Sequence, residues 1–172
     1  TDMSKHSKPK QTTYTQLRAA HKSDKLNKRE KALIGLYTLL PPRRVEFAQY
    51  LKLSADEQNL DPGFNYVSFE ITTAKNKTRN DLGFTLNRYK TFKTYGVQRY
   101  ATYDKPLYKL LKDYIDDAGL EDGDLLFGVD SQTPYQNFSP EISKAFNKSM
   151  NKDVSVNYLR YTSITTFLST PK

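Results

Sequence analysis

The sequence predicts an α+β fold, a mostly helical domain that contains one small three-stranded antiparallel sheet. Apolar residues recur with the helical period before residue 52 and after residue 106, which predicts helices at both ends. Alternating β-forming residues lie between them and predict the strands. The 172 residues suit one domain. We expect residues 12–172 to form it, after a flexible basic tail at residues 1–11.

Two helices are predicted in the chain up to Leu40. Residues 13–21 form the first. The second begins at an N-cap, Ser23 or Asp24, and reaches Leu40, because the two prolines that follow cannot continue a helix. Its apolar residues define one buried face: Leu33, Ile34, Leu36, Tyr37 and Leu40.

The sheet follows a short helix at residues 43–52 and a loop at residues 54–65, where Asp-Pro-Gly is typical of a turn. A polar turn at residues 74–81 separates the first two strands, and residues 93–96 form the second turn. The three strands are predicted at residues 66–73, 82–92 and 97–103.

Three helices are predicted after the sheet. Pro106 stands at a first-turn position, and Gly119 ends that helix. Ser-Pro-Glu opens the next helix, residues 139–150. Ser155 caps the last one, residues 156–168.

Charge favours an anionic partner. The net charge is +8, and it is unevenly distributed. Residues 1–31 carry nine Lys and Arg against three acids, and residues 75–112 carry ten against two. Residues 113–130 carry seven acids and no base. The simplest partner is nucleic acid, and the alternative is a protein that is basic without binding a polyanion.

Several classes of chemistry are excluded or disfavoured. The chain has no cysteine, so disulfides and zinc–thiolate sites are absent, and two histidines are too few for a metal cluster. No GxxxxGK or GxGxxG motif is present. Glu46, Asp56 and Asp61 could form a two-metal site only if folding assembled them. We therefore expect no metal and no cofactor.

Location is predicted from what the sequence lacks. No apolar stretch approaches the length of a membrane span, and the start TDMSKHSKPK has no apolar signal region. We expect an intracellular protein that is found at DNA and does not enter a membrane.

The last predicted helix carries an arginine on or beside its apolar stripe. Val156, Arg160, Ile164 and Phe167 follow the helical period, and Asn157 lies three residues before the arginine. A buried guanidinium needs a partner. That partner is an anion bound in a cleft or a core acid such as Glu46, and the helix by itself favours the acid.

Taken together, three motifs resemble the catalytic domain of tyrosine recombinases, the phage-integrase-like enzymes. In PPRRVEF, Arg43 and Glu46 match an arginine followed three residues later by an acid, with Arg44 as the alternative arginine. The stretch NYLR places Asn157 and Arg160 on a family His-x-x-Arg motif. The motif sequences PPRR and YKTFKTYG are similar to those of family members from large DNA viruses, virophages and related mobile elements.

The third motif is the family's catalytic lysine, in the turn between the second and third strands of the sheet. In RYKTFKTYGVQRY, Lys90 is the better match and Lys93 the next. Lys75 or Lys77 would fit only if the sheet register were read one strand earlier.

The resemblance implies DNA strand cleavage and rejoining through a phosphotyrosyl intermediate, as in site-specific recombination, without metal or ATP. Arg43 and Arg160 would hold the scissile phosphate, Lys90 would be the general acid, and Asn157 an auxiliary donor. Glu46 would not contact the phosphate but would hold one of the arginines in position. The cations expected to contact the backbone of double-stranded DNA are Arg44, Lys75, Lys77, Arg79, Arg88 and Lys93.

Two departures from the family pattern matter. Asn157 replaces a histidine and cannot exchange a proton. The family's nucleophilic tyrosine lies further on than Lys172, so we expect a truncated or inactive chain that binds DNA as a monomer and cleaves nothing. The intact protein would act as a tetramer on DNA. The alternative functions are a type IB topoisomerase and a non-catalytic nucleic-acid-binding module.

Overall fold

The computed structural model describes residues 13–54, 60–89 and 92–169, which fall into two compact units. Unit 1 joins the chain up to Arg43 to the chain from Phe138 onward, and unit 2 is Arg44–Asn137. The predicted class is confirmed, because the described residues form an α+β structure with seven α-helices and one four-stranded mixed sheet. The predicted limits of the tail and of the single domain stay predictions.

The elements, in chain order, are α1 Tyr14–Ala19, a 3-10 helix Ala20–Lys22, α2 Lys28–Thr38, α3 Glu46–Gln49, β1 Leu51–Leu53, β2 Asn65–Ala74, β3 Lys77–Leu86, α4 Phe92–Tyr95, β4 Gln98–Thr102, α5 Lys105–Ala118, α6 Ser139–Met150 and α7 Val156–Ser169.

Helix α2 begins later than predicted, at a capping box. The Asn27 side chain accepts from the Glu30 N–H at 2.8 Å, and the Glu30 carboxylate accepts from the Asn27 N–H at 2.9 Å. This reciprocal pair satisfies two end groups at once, so Asn27 displaces Ser23 and Asp24 as the N-cap. The predicted buried face is confirmed, since all five of its residues are at most 4% exposed.

Unit 1 is a cluster of helices around α2. Helix α2 contacts α1, α6 and α7, and α1 also contacts α7. Two ion pairs tie α2 to α6: Arg29 with Glu141 at 3.2 Å, and Glu30 with Lys148 at 2.8 Å. Burial of Glu30 opposes ionisation, but hydrogen bonds from Lys148 and from the Asn27 N–H outweigh it and lower the pKa of Glu30.

The sheet has a fourth strand that the sequence did not predict. Its order is β1-β2-β3-β4, with β1 parallel to β2 and the other pairs antiparallel. Strand β1 begins inside the predicted helix 43–52, of which only the four residues of α3 are helical. The Tyr50 carbonyl accepts from the Asn65 N–H at 2.8 Å, where pairing with β2 begins. This long-range pairing overrides the local helical pattern.

The hairpin of β2 and β3 is longer than predicted. The proposed turn 74–81 is wrong, because only Lys75 and Asn76 lie outside the strands, with φ values of 51° and 62°. Two consecutive positive φ values match the two-residue hairpin turn that suits twisted strands. Residues 71–80 are exposed throughout, so polarity did not distinguish strand from turn.

The connection from β3 to β4 also differs from prediction. Strand β3 ends at Leu86, earlier than the predicted end of the strand at residue 92. The predicted turn at residues 93–96 falls largely on α4, which ends before Gly96 with its φ of 69°.

Helix α5 confirms its predicted start and stop. Asp104 caps the helix by accepting from the Leu107 N–H at 2.9 Å, and Pro106 lies in the first turn. Gly119 ends the helix with a φ of 65°, a left-handed conformation that favours glycine. Leu107 and Leu111 are fully buried in unit 2.

Candidate functional site

The two arginines of the proposed phosphate clamp both belong to unit 1. Arg43 is half-buried and follows α2 after the two prolines that stop this helix. Arg160 is half-buried on α7. Because α2 packs against α7, the helix that leads to Arg43 contacts the helix that carries Arg160, although 117 positions separate the two residues in the sequence.

Helix α7 begins as predicted. The Ser155 hydroxyl accepts from the Tyr158 N–H at 3.0 Å and caps the first turn. Asn157 is exposed on that turn, three residues before Arg160. An amide and a guanidinium with this spacing lie on one face of a helix, and both can donate to one anion.

Arg160 lies at the edge of the buried stripe rather than within it. The buried residues at the start of α7 are Val156, Leu159 and Thr162. The side chains of Ile164 and Phe167, which were expected to continue the stripe, lie outside the described residues. An arginine of intermediate burial can keep its charged end at the surface, so it does not require a buried carboxylate.

Arg44 and Glu46 begin unit 2. Arg44 is exposed, and Glu46 is the half-buried first residue of α3. The backbone carbonyl of Glu46 accepts from Asn65 Nδ2 at 3.3 Å, which anchors this turn to β2. That Glu46 holds an arginine stays a prediction.

A metal site is not formed by the carboxylates of the described segments. Asp61 Oδ1 accepts from the Gly63 N–H at 2.8 Å and belongs to a turn. Asp56 lies outside the described residues. Within residues 13–54, 60–89 and 92–169, no three His, Asp or Glu side chains are grouped so that they could hold a metal ion.

Lys90, the preferred catalytic lysine, lies outside the described residues. The chain just before it is firmly held. Asn65 Oδ1 accepts from the backbone N–H groups of Asn87 at 3.0 Å and Arg88 at 2.9 Å, and Asn65 Nδ2 donates to the Arg88 carbonyl at 3.2 Å. The structure thus fixes the chain that leaves β3 as far as Arg88, two residues before Lys90.

The fourth strand changes how the alternative lysines compare. In the whole sheet, the turn between the second and third strands holds Lys75, and Lys77 begins β3. Among the three antiparallel strands alone, the equivalent connection runs from β3 to β4 and holds Lys93, which is exposed on α4. Whether four strands or only the three antiparallel strands are counted, a candidate lysine therefore lies in the connection between the second and third strands.

Two of the predicted DNA-binding cations have partners in unit 2. The Arg79 guanidinium donates to both carboxylate oxygens of Asp81, at 2.8 and 3.2 Å, and lies 4.8 Å from the centroid of the Tyr103 ring. The hydrogen bonds from Arg79 and then from Thr72 lower the pKa of Asp81. The Arg88 guanidinium lies 3.9 Å from the centroid of the Tyr50 ring.

The pairing of Arg79 with Asp81 and the role of Asn65 were not predicted from the sequence, for different reasons. Arg79 and Asp81 are two residues apart on one strand and share a face, a signal that could have been used once the strand was placed. Asn65, which is 1% exposed and links α3 to both sides of the hairpin, carries no local signal. Its role depends on residues about twenty positions away on either side.

Comparison with protein-family models, with curated proteins and with solved structures finds no match to this chain. Within the described residues, no helix has the length and apolar character needed to span a lipid bilayer.

Proposed function

We propose that this chain contributes the phosphate-binding part of a DNA strand-cleaving and rejoining enzyme of the tyrosine recombinase type. The observation that carries the proposal is the packing of α2 against α7. This contact joins the helix before Arg43 to the helix of Arg160 within one compact unit. Two arginines on adjoining helices suit a phosphodiester, since each guanidinium can donate to two oxygens.

The chemistry follows from where charge develops. When a tyrosine attacks a DNA phosphate, negative charge grows on the non-bridging oxygens, and donors already in place lower the barrier. Arg43 and Arg160 supply these donors, and Asn157 adds one neutral N–H donor from the same face of α7 as Arg160. No tyrosine of this sequence is assigned as the nucleophile.

A lysine completes the proposed site. The departing 5′ oxygen needs a proton, and Lys90 supplies it from the connection between β3 and β4. Lys93 on α4 and Lys75 or Lys77 at the β2–β3 turn are the alternatives. Asn157 cannot take over this step, because an amide does not exchange a proton at neutral pH.

Duplex DNA binding tests the proposal. We expect the chain to bind a labelled duplex in fluorescence anisotropy, with an affinity that falls steeply as salt rises. Arg160→Ala should weaken binding more than Arg18→Ala, the matched control, which removes an exposed arginine from α1 of the same unit. Equal losses would indicate a charge-only binder, the non-catalytic alternative, and would refute a dedicated phosphate site.

A second measurement separates phosphate positioning from general attraction. Arg160→Lys keeps the charge and loses the planar fork of donors. We expect it to restore the salt dependence of the wild type without restoring the affinity. Full recovery of affinity in Arg160→Lys would show that only charge is needed at this position.

A further inference from the structure

The outer half of β3 has an unpaired edge. Strand β4 ends at Thr102, opposite Leu82, and the chain then turns at Asp104 into α5. Residues 77–81 therefore pair with β2 on one side only, and no strand of the described residues covers their other side. Such an edge presents backbone N–H and C=O groups that a further strand can use.

A groove of about 770 Å³ follows this edge within unit 2. Three consecutive residues of β3, Thr78, Arg79 and Asn80, line it. Successive side chains of a strand point to opposite faces, so a groove that touches all three must lie along the edge of the strand. The opposite wall comes from the segment that leaves the sheet and starts α5: Tyr103, Lys105, Pro106, Tyr108 and Lys109.

The walls combine apolar surface with positive charge. Tyr108 contacts Phe69 edge-to-face, with the ring centroids 5.1 Å apart, and Pro106 is exposed beside it. Three of the eight lining residues are cationic and none is acidic. Asp81 and Asp113 pair with Arg79 and Lys109, whereas Lys105 makes no ion pair within the described residues.

We propose that the open edge of β3 binds an extended acidic peptide of a partner protein by strand addition. The exposed edge of residues 77–80 supplies the hydrogen bonds, and the groove holds the peptide side chains that point toward α5. Charge selects the occupant. In an antiparallel pair of copies centred on Thr78, Lys77 of each copy would lie opposite Arg79 of the other, and these like charges oppose that pairing. A carboxylate-rich strand complements Lys77 and Lys105, neither of which makes an ion pair within the described residues.

The test uses the full chain and a defined probe. The probe is a short fluorescein-labelled peptide that alternates glutamate and valine. We expect saturable binding in anisotropy, with the largest amide chemical-shift changes at Thr78, Arg79 and Asn80. N-methylation of alternate peptide residues should lower affinity by about tenfold or more, since each backbone hydrogen bond contributes a factor of roughly five. Equal binding of the methylated peptide would overturn strand addition.

A charge reversal locates the site. Lys77→Glu combined with Lys105→Glu should weaken peptide binding by about tenfold. Lys25→Glu with Lys144→Glu, two exposed positions of unit 1, makes the same change in net charge and should leave affinity within about twofold.

Two results would reject the peptide partner. One is an equal loss of affinity in the control pair of variants. The other is displacement of the peptide from residues 78–80 by a thymidine oligonucleotide of similar length at lower concentration, which would assign the groove to single-stranded nucleic acid. Failure of duplex DNA binding would leave this proposal intact, because it rests on unit 2 alone.

Discussion

Replacing Asn65 by alanine is expected to destabilise unit 2 by about 3 kcal/mol. The side chain is 1% exposed and serves three segments of the chain. Its Nδ2 donates to the carbonyls of Glu46 at 3.3 Å, Phe47 at 3.4 Å and Arg88 at 3.2 Å. Its Oδ1 accepts from the N–H groups of Asn87 and Arg88.

The magnitude follows from the groups left without partners. An alanine would leave the N–H groups of Asn87 and Arg88 without their acceptor, and Asn87 is a buried residue. Each buried unpaired donor costs about 1–3 kcal/mol. The lost bonds to carbonyls add less, because a carbonyl that keeps one partner tolerates the loss of another. A water entering the space would offset part of the cost, which gives the estimate of about 3 kcal/mol.

Urea denaturation followed by circular dichroism measures the loss, and hydrogen exchange at Asn87 and Arg88 localises it. Asn137→Ala is the matched control, because Asn137 is exposed in the same unit and should change stability by less than about 0.5 kcal/mol. If Asn65→Ala is as stable as this control, Asn65 does not hold the chain that leaves β3. The inference that the residues before Lys90 are fixed would then be wrong.

Two further predictions concern the hairpin of β2 and β3. The pKa of Asp81 is lowered by Arg79 and Thr72, so its stabilisation is present above its unfolded pKa of about 3.9 and is lost as pH falls through the folded pKa. The stability advantage of the wild type over Asp81→Asn should therefore shrink in acid, and an advantage that stays constant down to about pH 2 would contradict the contact. Asn76, at a φ of 62°, should tolerate glycine, whereas Asn76→Val should cost about 1–2 kcal/mol in thermal unfolding, and equal stability of the two variants would exclude the left-handed turn.

Local chemistry made part of the fold predictable. The two ends of α5 are set by Asp104, Pro106 and Gly119 through interactions that act within one turn of helix. Ser155 caps the start of α7 by an interaction of the same range. The apolar period of α2 identified its buried face for the same reason. The capping box at Asn27 was readable in principle, since Asn and Glu stand three residues apart.

Long-range strand pairing limited how much of the sheet the sequence could predict. Strand β1 has three residues and depends on a parallel partner that begins at Asn65, so nothing local separates it from a short helix. The β2–β3 hairpin is exposed on both faces toward its tip, and its strands therefore lack the apolar alternation that marks a half-buried strand. An extended polar hairpin and a polar loop look alike in sequence.

The candidate site was predictable only as motifs. PPRRVEF and NYLR lie far apart in the sequence, and their order indicated an arginine at each end of the fold. The contact between α2 and α7 could not be read from either motif. Nor could the pairing of Arg79 with Asp81, or the open β3 edge, because both depend on where β3 begins and where β4 ends.

A double-mutant cycle on duplex DNA affinity tests the phosphate clamp most directly. If Arg43 and Arg160 hold one phosphate, the second alanine substitution should cost less than the first, with a coupling free energy of about 1 kcal/mol or more. The same cycle with Arg43 and Arg18 should be additive, and thermal unfolding of each variant checks that the fold is intact. Losses for Arg43 and Arg160 that add to within about 0.5 kcal/mol would show that they act as separate cations and would contradict the clamp.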